Sequence, residues 1–312
     1  MTSAIELTKV VKHYGGVAAL QELTFDVSAG EMFGLIGPDG AGKTTAIRLM
    51  GGLLRPDRGT IRVLGHDPVR ERRAITAQVG YLSQRFSLYG DLTIDENIAF
   101  FAQIHGLRDY GRRRDQLLEM TQLTPFRGRL ADRLSGGMKQ KLALACTLIH
   151  EPRLILLDEP TTGVDPVSRR EFWKLLSQFL ARGLTILMST PYLDEAERCS
   201  RIVLLHEGKV LALDQPASLR TSLAGTLFEA IVPSPREALD RLAGQRDIAS
   251  AQVFGDRLHV WINHGDAEAA MRSLSTALSS AGMTASSLRP IVPSLEDVFI
   301  ARLSEVDGAS VS

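Results

Sequence analysis

The sequence predicts an α/β protein with a large domain built on a parallel β-sheet and a smaller α+β domain towards the carboxyl end. Short apolar runs such as EMFGLIG and RLILLDEP are bounded by glycine or proline, as buried strands are. Segments with apolar residues at helical spacing separate these runs, and the order strand, helix, strand indicates parallel pairing. After DQPASLR the composition shifts towards Ala, Ser and Arg, which marks a second domain.

The elements of the large domain follow in order. The first 30 residues alternate and turn like an antiparallel sheet, and EMFGLIG is then a buried strand before a glycine-rich turn and a helix. From about residue 86 to 150 the pattern is mostly helical and rich in charge, which predicts a helical subdomain. RLILLDEP and LTILMS, which ends at Ser189, are further buried strands. The helix between them ends before Gly183, a typical stop signal.

The smaller domain is predicted over residues 225–305, after a large domain that covers residues 1–218. Its strands and helices are predicted at LFEAIV, PREALDRLAG, IASAQVF, RLHVWIN, DAEAAMRSLSTALSSAG and ASSLRP. This order is βαββαβ.

Composition limits the function classes. Lys plus Arg equals Asp plus Glu at 36 each, so no overall positive field attracts phosphate backbones, and nucleic acid is not the expected partner. Cys146 and Cys199 are too few for a disulfide framework or a zinc site, and the first residues lack the apolar core of a signal peptide, as in cytoplasmic proteins. No apolar run approaches the roughly 18–20 residues that span a bilayer. Membrane association would therefore need another subunit.

The stretch GPDGAGKTT fits the phosphate-binding pattern G-x-x-x-x-G-K-[ST] and lies between a predicted strand and a predicted helix. Its glycines let backbone N–H groups point at phosphate oxygens, and the helix N-terminus adds a favourable dipole. Lys43 would reach the β and γ phosphates, and the Thr44 hydroxyl would bind Mg²⁺. These features predict a P-loop NTPase core, with a nucleoside triphosphate and Mg²⁺ as its ligands. The predicted nucleotide-binding residues are Gly37, Pro38, Asp39, Gly40, Ala41, Gly42, Lys43, Thr44 and Thr45.

Two acidic residues follow the strand in RLILLDEP. Asp158 is the predicted carboxylate partner of Mg²⁺. Glu159 lies just past the strand, on the edge where open α/β sheets collect ligands. A carboxylate there would position and polarise a water in line with the γ phosphate, so Glu159 is the predicted general base. The alternative is an ordinary surface glutamate before a proline.

A second phosphate-binding element is predicted in LSGGMKQKLALACTLIH. Ser135, Gly136 and Gly137 precede a helix, and a helix N-terminus favours anions. Cys146 falls on the apolar face of this helix, where core packing is the expected role.

In this order and spacing, GPDGAGKTT, LSGGMKQ and LILLDEP resemble the ATPase cassette of ABC transporters, over about residues 4–218. The resemblance implies a RecA-like P-loop core with ATP as its nucleotide, in an ATP-binding and hydrolysing subunit that pairs head to tail with a second cassette. Each ATP would lie between the P-loop of one cassette and the Ser135, Gly136 and Gly137 segment of the other. A separate transmembrane permease subunit is implied as well, which would place the chain on the inner face of the cell membrane.

The resemblance also assigns roles to single residues. Tyr14 matches the aromatic residue that stacks on adenine, although a lone tyrosine is otherwise commonly a packing residue. Gln84 matches the glutamine that links Mg²⁺ and the attacking water to a segment facing the membrane subunit, and Asp165 matches the loop between the paired sites. Four apolar residues after Gln84 either contact that subunit or form an ordinary hydrophobic helix seam: Phe86, Leu88, Tyr89 and Leu92.

The tail VPSLEDVFIARL is similar to the end of cassettes from the daunorubicin-resistance type of exporter, which carry a small C-terminal domain. The similarity implies export as the function, and a regulatory or stabilising role in cassette pairing for residues 225–305. Leu295, Val298 and Phe299 could equally form only a packing stripe.

One position departs from the family pattern. The family has S-T-H-Y after the strand that ends at Ser189, and this sequence has STPY, with Pro191 at the place of a histidine that contacts the γ phosphate. Proline has neither an imidazole nor an N–H, so slow hydrolysis with intact ATP binding is expected. Pro191 is predicted at the first position of a helix, with Thr190 as N-cap and Glu195 in the first turn.

Three function classes remain open at this point. The chain is the ATPase subunit of an exporter, a soluble non-transport ABC ATPase, or an ATP-gated dimerising clamp with little turnover. The second class usually has two cassettes in one chain or long coiled-coil insertions. Homodimer and heterodimer are equally compatible with the sequence.

Overall fold

The structure is a computed structural model that describes residues 3–84, 88–242, 245, 247–262 and 266–309. The chain divides into two compact units, Met1–Leu213 and Asp214–Ser312, so the structural boundary lies five residues before the predicted end of the large domain at residue 218. Within the described ranges, no helix combines the length and apolar character needed to cross a bilayer.

The first unit contains, in chain order, β1 Ser3–Tyr14, β2 Val17–Ser28, β3 Met32–Ile36, α1 Lys43–Met50, β4 Arg58–Val63, α2 Arg72–Gln78, β5 Val79–Leu82, α3 Ile94–Ile104, α4 Gly111–Thr121, α5 Gly136–Leu148, β6 Leu154–Asp158, α6 Pro166–Leu180, β7 Thr185–Thr190, α7 Leu193–Ala196, β8 Arg201–His206 and β9 Lys209–Asp214. Its predicted buried strands are β3, β6 and β7, and every residue in them is buried.

The central sheet brings the predicted site residues together. Its strand order is β5-β6-β7-β3-β8-β9, and β7 pairs in parallel with both β6 and β3. Asp158 lies opposite Ser189, and Ile36 lies opposite Thr190. Because parallel strands end at the same edge, the residues that follow β3, β6 and β7 emerge side by side there.

The predicted antiparallel and helical subdomains are both present. Strands β1, β2 and β4 form an antiparallel sheet with the order β2-β1-β4. Side chains of this sheet pack with those of β3 and α1 in one core that includes Leu7, Leu23, Phe33 and Ile47. The helices predicted between residues 86 and 150 are α3, α4 and α5.

The second unit confirms the predicted βαββαβ order. After α8 Pro216–Thr221 it contains β10 Thr226–Ile231, α9 Pro235–Leu242, β11 Ile248–Phe254, β12 Arg257–Ile262, α10 Ala267–Ser280, β13 Ser287–Pro290 and α11 Leu295–Ala309. The strands pair antiparallel in the order β11-β12-β10-β13. The core between this sheet and helices α9 and α10 includes Phe228, Val260, Leu242 and Leu274.

The tail motif VPSLEDVFIARL forms the start of α11. The Asp297 carboxylate accepts from the Ser294 N–H at 2.8 Å, and the Asp297 N–H donates to the Ser294 hydroxyl at 3.2 Å, as in a capping box. His259 Nδ1 on β12 lies 2.8 Å from Asp297 Oδ1. Leu295 and Val298 are buried. The motif therefore has a local structural role.

Candidate nucleotide-binding site

The loop between β3 and α1 needs its glycines for two different reasons. Gly40 and Gly42 have φ values of 82° and 97°, in the left-handed region that side chains disfavour. A Cβ at Gly42 would also lie 2.6 Å from the Ala19 carbonyl oxygen. Gly37 lacks a positive φ, but a Cβ there would lie 2.3 Å from the Leu205 carbonyl oxygen. Substitution at any of these glycines would disturb the loop.

Lys43 is the first residue of α1, and its ammonium group points back into the loop. The side chain is buried, and Nζ donates to the carbonyl oxygens of Gly37 at 2.8 Å and Pro38 at 3.0 Å. Nζ also lies 3.1 Å from Glu159 Oε1. A buried cation is thus held at the place where a P-loop lysine meets phosphate.

Thr44 and Asp158 meet as the sequence predicts for a magnesium site. The Thr44 hydroxyl donates to Asp158 Oδ1 at 3.0 Å, and the Ser189 hydroxyl donates to the same oxygen at 2.8 Å. Burial raises the pKa of Asp158 above its ordinary value and the nearby Glu159 carboxylate raises it further, whereas the two hydroxyl donors act in the opposite direction. A divalent cation would relieve this unfavourable burial of charge.

These residues fit Mg²⁺. The ion prefers oxygen ligands and usually takes one or two from the protein, with phosphates and waters completing the shell. A hydroxyl and a carboxylate beside a phosphate loop provide that set. No cluster of three or more His, Cys, Asp or Glu side chains suited to a metal occurs among the residues that the structure describes.

Glu159 occupies a strained and well-anchored position. Its φ is 46°, uncommon for a residue with a side chain, and such strain often marks functional sites. Its carboxylate accepts from Gln84 Nε2 at 3.0 Å and from the Thr162 hydroxyl at 3.4 Å. Its backbone N–H donates to the Ser189 hydroxyl at 3.0 Å. Gln84 and Glu159 therefore lie together, as expected for the pair predicted to handle the attacking water.

An open cavity of about 410 Å³ joins most of these groups. Tyr14 lies at its margin with 47% of its surface exposed, and Lys12 Nζ lies 5.9 Å from the centre of its ring. The cavity is lined by Tyr14, Ala19, Asp39, Gly40, Ala41, Gly42, Lys43, Thr44, Thr45, Gln84 and Glu159.

The segment Ser135, Gly136 and Gly137 is not among the lining residues of this cavity. Ser135 caps α5 by accepting from the Met138 N–H at 3.3 Å, and Ser135 and Gly136 are exposed. Gly137 is buried against Ser168, close to Asp165, which caps α6 through the Val167 and Ser168 N–H groups. The segment therefore lies apart from the P-loop cavity of its own chain.

The prediction of a helix that begins at Pro191 is wrong. Thr190 is still part of β7, and α7 begins at Leu193 with Tyr192 as N-cap. The reason is that Thr190 pairs within the sheet opposite Ile36, while its hydroxyl accepts from the Tyr192 N–H at 3.1 Å. Glu195 does fall in the first turn, but its side chain is buried. Pro191 follows β7 between the ends of β6 and β3, beside the predicted site.

The residues predicted to face a membrane subunit are partly described. Phe86 lies outside the described residues, whereas Leu88, Tyr89 and Leu92 precede α3 in a loop, so they do not form a helix seam. Tyr89 is 45% exposed. The fully buried Asn97 holds this loop, because its amide oxygen accepts from the Tyr89 N–H and its Nδ2 lies within 3.1 Å of the carbonyl oxygens of Tyr89, Leu92 and Thr93.

Sequence reasoning missed several polar side chains around the site. Ser189 contacts both Asp158 and the Glu159 N–H. Gln140, inside LSGGMKQ, donates to the carbonyl oxygen of Pro160. For Ser189, a polar residue at the end of an otherwise apolar strand was an available signal. For Gln140, the available signal was a polar amide in a helix whose other residues are mostly apolar.

Known proteins resemble this chain in sequence. A family model described as ABC transporter matches residues 20–162. A probable multidrug ABC transporter ATP-binding protein of Escherichia coli is 45% identical over 80% of this chain, which spans 44% of that protein's length. A daunorubicin resistance ATP-binding protein of Streptomyces coeruleorubidus is 35% identical over 96% of this chain and 95% of that protein. A Nod factor export ATP-binding protein of Paraburkholderia xenovorans is 39% identical, covering 83% and 86%.

Solved structures show the same fold. The structure of an ATP-binding subunit of an ABC transporter has 34% identity and a TM-score of 0.64, covering 70% of this chain and 92% of that one. A dimeric bacterial ABC transporter cassette has 27% identity and a TM-score of 0.61, covering 68% and 98%.

Proposed function

Because the chain belongs to the family of ABC transporter ATP-binding subunits, we propose that it binds and hydrolyses ATP with Mg²⁺ to drive a membrane exporter. The observation that carries the proposal is the convergence of Lys43, Thr44, Asp158, Glu159 and Gln84 at one sheet edge, beside a cavity that Tyr14 borders.

The contacts suggest how this chain prepares hydrolysis. In the structure Lys43 is paired with Glu159. Phosphate oxygens would draw the ammonium group away, which frees the carboxylate to accept a proton from a water that Gln84 helps to orient. Bound Mg²⁺ would supply neutralisation of charge on the β and γ phosphates. Backbone N–H groups of the P-loop would hold the phosphates in line with that water.

Equilibrium binding of MgATP and release of phosphate by the purified chain test this function. Glu159→Gln should bind ATP and release little phosphate, whereas the matched change Glu119→Gln, at an exposed position on α4, should behave like wild type. A wild-type chain that does not bind MgATP would contradict the proposal.

Export and a separate permease are proposed from the relatives. Those relatives are described as multidrug, daunorubicin resistance and Nod factor export proteins. The exposed Tyr89 and its neighbours Leu88 and Leu92 are the proposed permease contacts, with the chain peripheral on the inner face of the membrane. Copurification with a membrane protein should be lost in Tyr89→Asp and kept in Tyr110→Asp, which changes a tyrosine outside this loop.

We also propose a second cassette as partner, as in the solved dimeric cassette. The exposed Ser135 and Gly136 would contact ATP held by the P-loop of the partner, because they do not line the cavity of their own chain. Light scattering of the Glu159→Gln variant with and without ATP tests this pairing, because the variant should form a dimer only when ATP is present.

Hydrolysis in this chain is proposed to be slow. Pro191 offers no hydrogen-bond donor at the sheet edge where the γ phosphate would lie. Losing one well-placed donor typically costs about a hundredfold to a thousandfold in rate. The same observation supports a second candidate, an ATP-gated clamp whose closure rather than turnover is the output. The intact Lys43, Asp158 and Glu159 favour the ATPase.

The second unit is proposed to regulate or stabilise cassette pairing, without a part in the chemistry. A chain that ends at Asp214 should keep ATP binding and lose dimerisation or its control of turnover. Unchanged turnover and dimerisation would contradict the proposed role.

A further inference from the structure

Glu195 is a buried carboxylate that the proposed mechanism does not use. The residue is 1% exposed, although its sequence LDEAE is typical of an exposed first turn. Oε2 accepts from the Thr161 hydroxyl at 2.9 Å and from the Thr190 hydroxyl at 2.7 Å. Oε1 accepts from Trp173 Nε1 at 3.4 Å. A buried carboxylate with fewer partners would be costly, so these contacts must persist in the folded chain.

The partners of Glu195 lie on three different segments. Thr161 follows Glu159 by two residues, Thr190 ends β7, and Trp173 lies on α6. Arg169, also on α6, lies 3.6 Å from Glu195 Oε1 and stacks over the ring of Tyr192 at 4.7 Å. Through these contacts, Glu195 connects the segment after Pro191 to α6 and to the loop that carries the predicted general base, Glu159.

The directions of the hydrogen bonds are fixed by chemistry. The Thr190 hydroxyl accepts from the Tyr192 N–H, so its single proton is given to Glu195. Successive residues of a strand point to opposite faces. Ser189 accordingly faces Asp158 and Glu159, while Thr190 faces Glu195. Pro191 has no N–H to donate, and the hydroxyl groups of Ser189 and Thr190 provide hydrogen bonds that join the end of β7 to Asp158, Glu159 and Glu195.

We infer that Glu195 is a positioning residue for hydrolysis: it couples the end of β7 to the loop 159–165 through Thr190 and Thr161, in a chain whose Pro191 removes the direct donor. The inference rests on the proposed function. It assigns to a buried carboxylate, which does not line the P-loop cavity, the task of holding the Glu159 loop in place.

Turnover and ATP affinity of the full chain test the inference. Thr161→Val removes one hydroxyl donor and keeps the side-chain volume, and Glu195→Gln is the companion change. Both should lower kcat by about tenfold to a hundredfold, because small displacements of supporting groups have effects of that size, and leave ATP affinity unchanged. Thr161→Ser should restore kcat.

Thr185→Val is the matched control. The Thr185 hydroxyl is equally buried, lies at the opposite end of β7 and accepts from the Gly30 N–H at 2.9 Å. A loss of stability alone would therefore affect Thr185→Val and Thr161→Val alike. Only a positioning role predicts a lower kcat for Thr161→Val with a normal kcat for Thr185→Val.

The outcomes separate this inference from the proposed function. Absence of ATP binding by wild type would overturn the function and the inference with it. Measurable turnover with the same kcat in Thr161→Val, Glu195→Gln and Thr185→Val would overturn the inference alone. If wild type binds ATP without measurable turnover, ATP should still change the emission of Trp173, as identified by loss of the change in Trp173→Phe, and this change should disappear in Thr161→Val and persist in Thr185→Val. A wild-type chain without such a change would overturn the inference. An unaltered change in Thr161→Val would again overturn the inference.

Discussion

Replacing Glu159 with Gln should have opposite effects on the empty and the ATP-bound chain. In the empty chain, Lys43 Nζ lies 3.1 Å from Glu159 Oε1, with 3% and 8% of the two side chains exposed. At an effective dielectric constant of about 20 this attraction amounts to about 5 kcal/mol before solvation is counted. The substitution therefore removes the main charge partner of a buried lysine.

Three effects reduce the net loss of stability: the carbonyl acceptors that Lys43 keeps, the new amide oxygen, and the loss of a repulsion. Lys43 keeps its two carbonyl acceptors, and the new amide oxygen can still accept from it. Repulsion between Glu159 and the Asp158 carboxylate also disappears. We expect a net loss of about 1–2 kcal/mol, in the range of a hydrogen bond to a charged group, which lowers Tm by about 2–8 °C for a domain of this size.

In the ATP-bound chain, the substitution removes a carboxylate that faces the γ phosphate, so ATP should bind more tightly. At a hundred times Kd, ATP adds about 2.7 kcal/mol of stability and should more than restore Tm. Loss of the general base should lower turnover by about 10²–10⁴-fold. Thermal unfolding with and without MgATP, beside a phosphate-release assay, measures all three effects. An unchanged Tm of the empty variant together with retained turnover would refute the assignment, and Glu119→Gln is the control.

Three further predictions concern other parts of the site. Because burial raises the pKa of Asp158, its ionised form destabilises the empty fold at pH values above that pKa. Asp158→Asn should therefore raise Tm near pH 7, by an amount that shrinks as the pH falls towards about 4, as scanning calorimetry can measure. The same substitution should abolish the Mg²⁺ dependence of ATP binding, as titration calorimetry can measure. Gly137→Ala should lower the free energy of unfolding by about 1–3 kcal/mol, because a Cβ would lie 2.5 Å from Ser168 Cβ. Gly136→Ala has open space around it, so it should keep Tm and lose turnover only in the dimer. Equal Tm values for the two variants would contradict this difference. Tyr14→Ala should weaken ATP binding by about 1–3 kcal/mol while Tyr14→Phe keeps it, and equal Kd values for both variants would exclude stacking.

Local patterns predicted much of the fold correctly. The strands β3, β6 and β7 followed from apolar runs between glycines and prolines, and the βαββαβ order followed from alternation and helical spacing. These signals come from neighbouring residues and indicate burial, and the strands β3, β6 and β7 are indeed buried along their whole length. The helix predicted at Pro191 failed because proline preference at a helix start was weaker than the pairing of Thr190 with Ile36 in the sheet.

The candidate site also contains residues that local motifs predicted and contacts that they did not. Lys43, Thr44, Asp158 and Glu159 could be predicted because each belongs to a motif in which adjacent residues share a ligand. The direct pairing of Lys43 with Glu159 was not predicted, because the sequence assigned the two residues to different ligands, phosphate for Lys43 and the attacking water for Glu159. Glu195 was hidden for a related reason. Its spacing suits an exposed helical turn, and only the packing of α7 against α6 and the end of β7 shows that it is buried.

The most direct test of the central claim is the steady-state turnover of Pro191→His beside wild type and Pro191→Ala, with ATP affinity measured in parallel. The alanine variant restores the backbone N–H without an imidazole. An ATP site that lacks only a donor at position 191 should gain about a hundredfold to a thousandfold in kcat with histidine, gain little with alanine, and bind ATP equally in all three forms. A histidine variant no faster than wild type would contradict the claim that Pro191 limits hydrolysis.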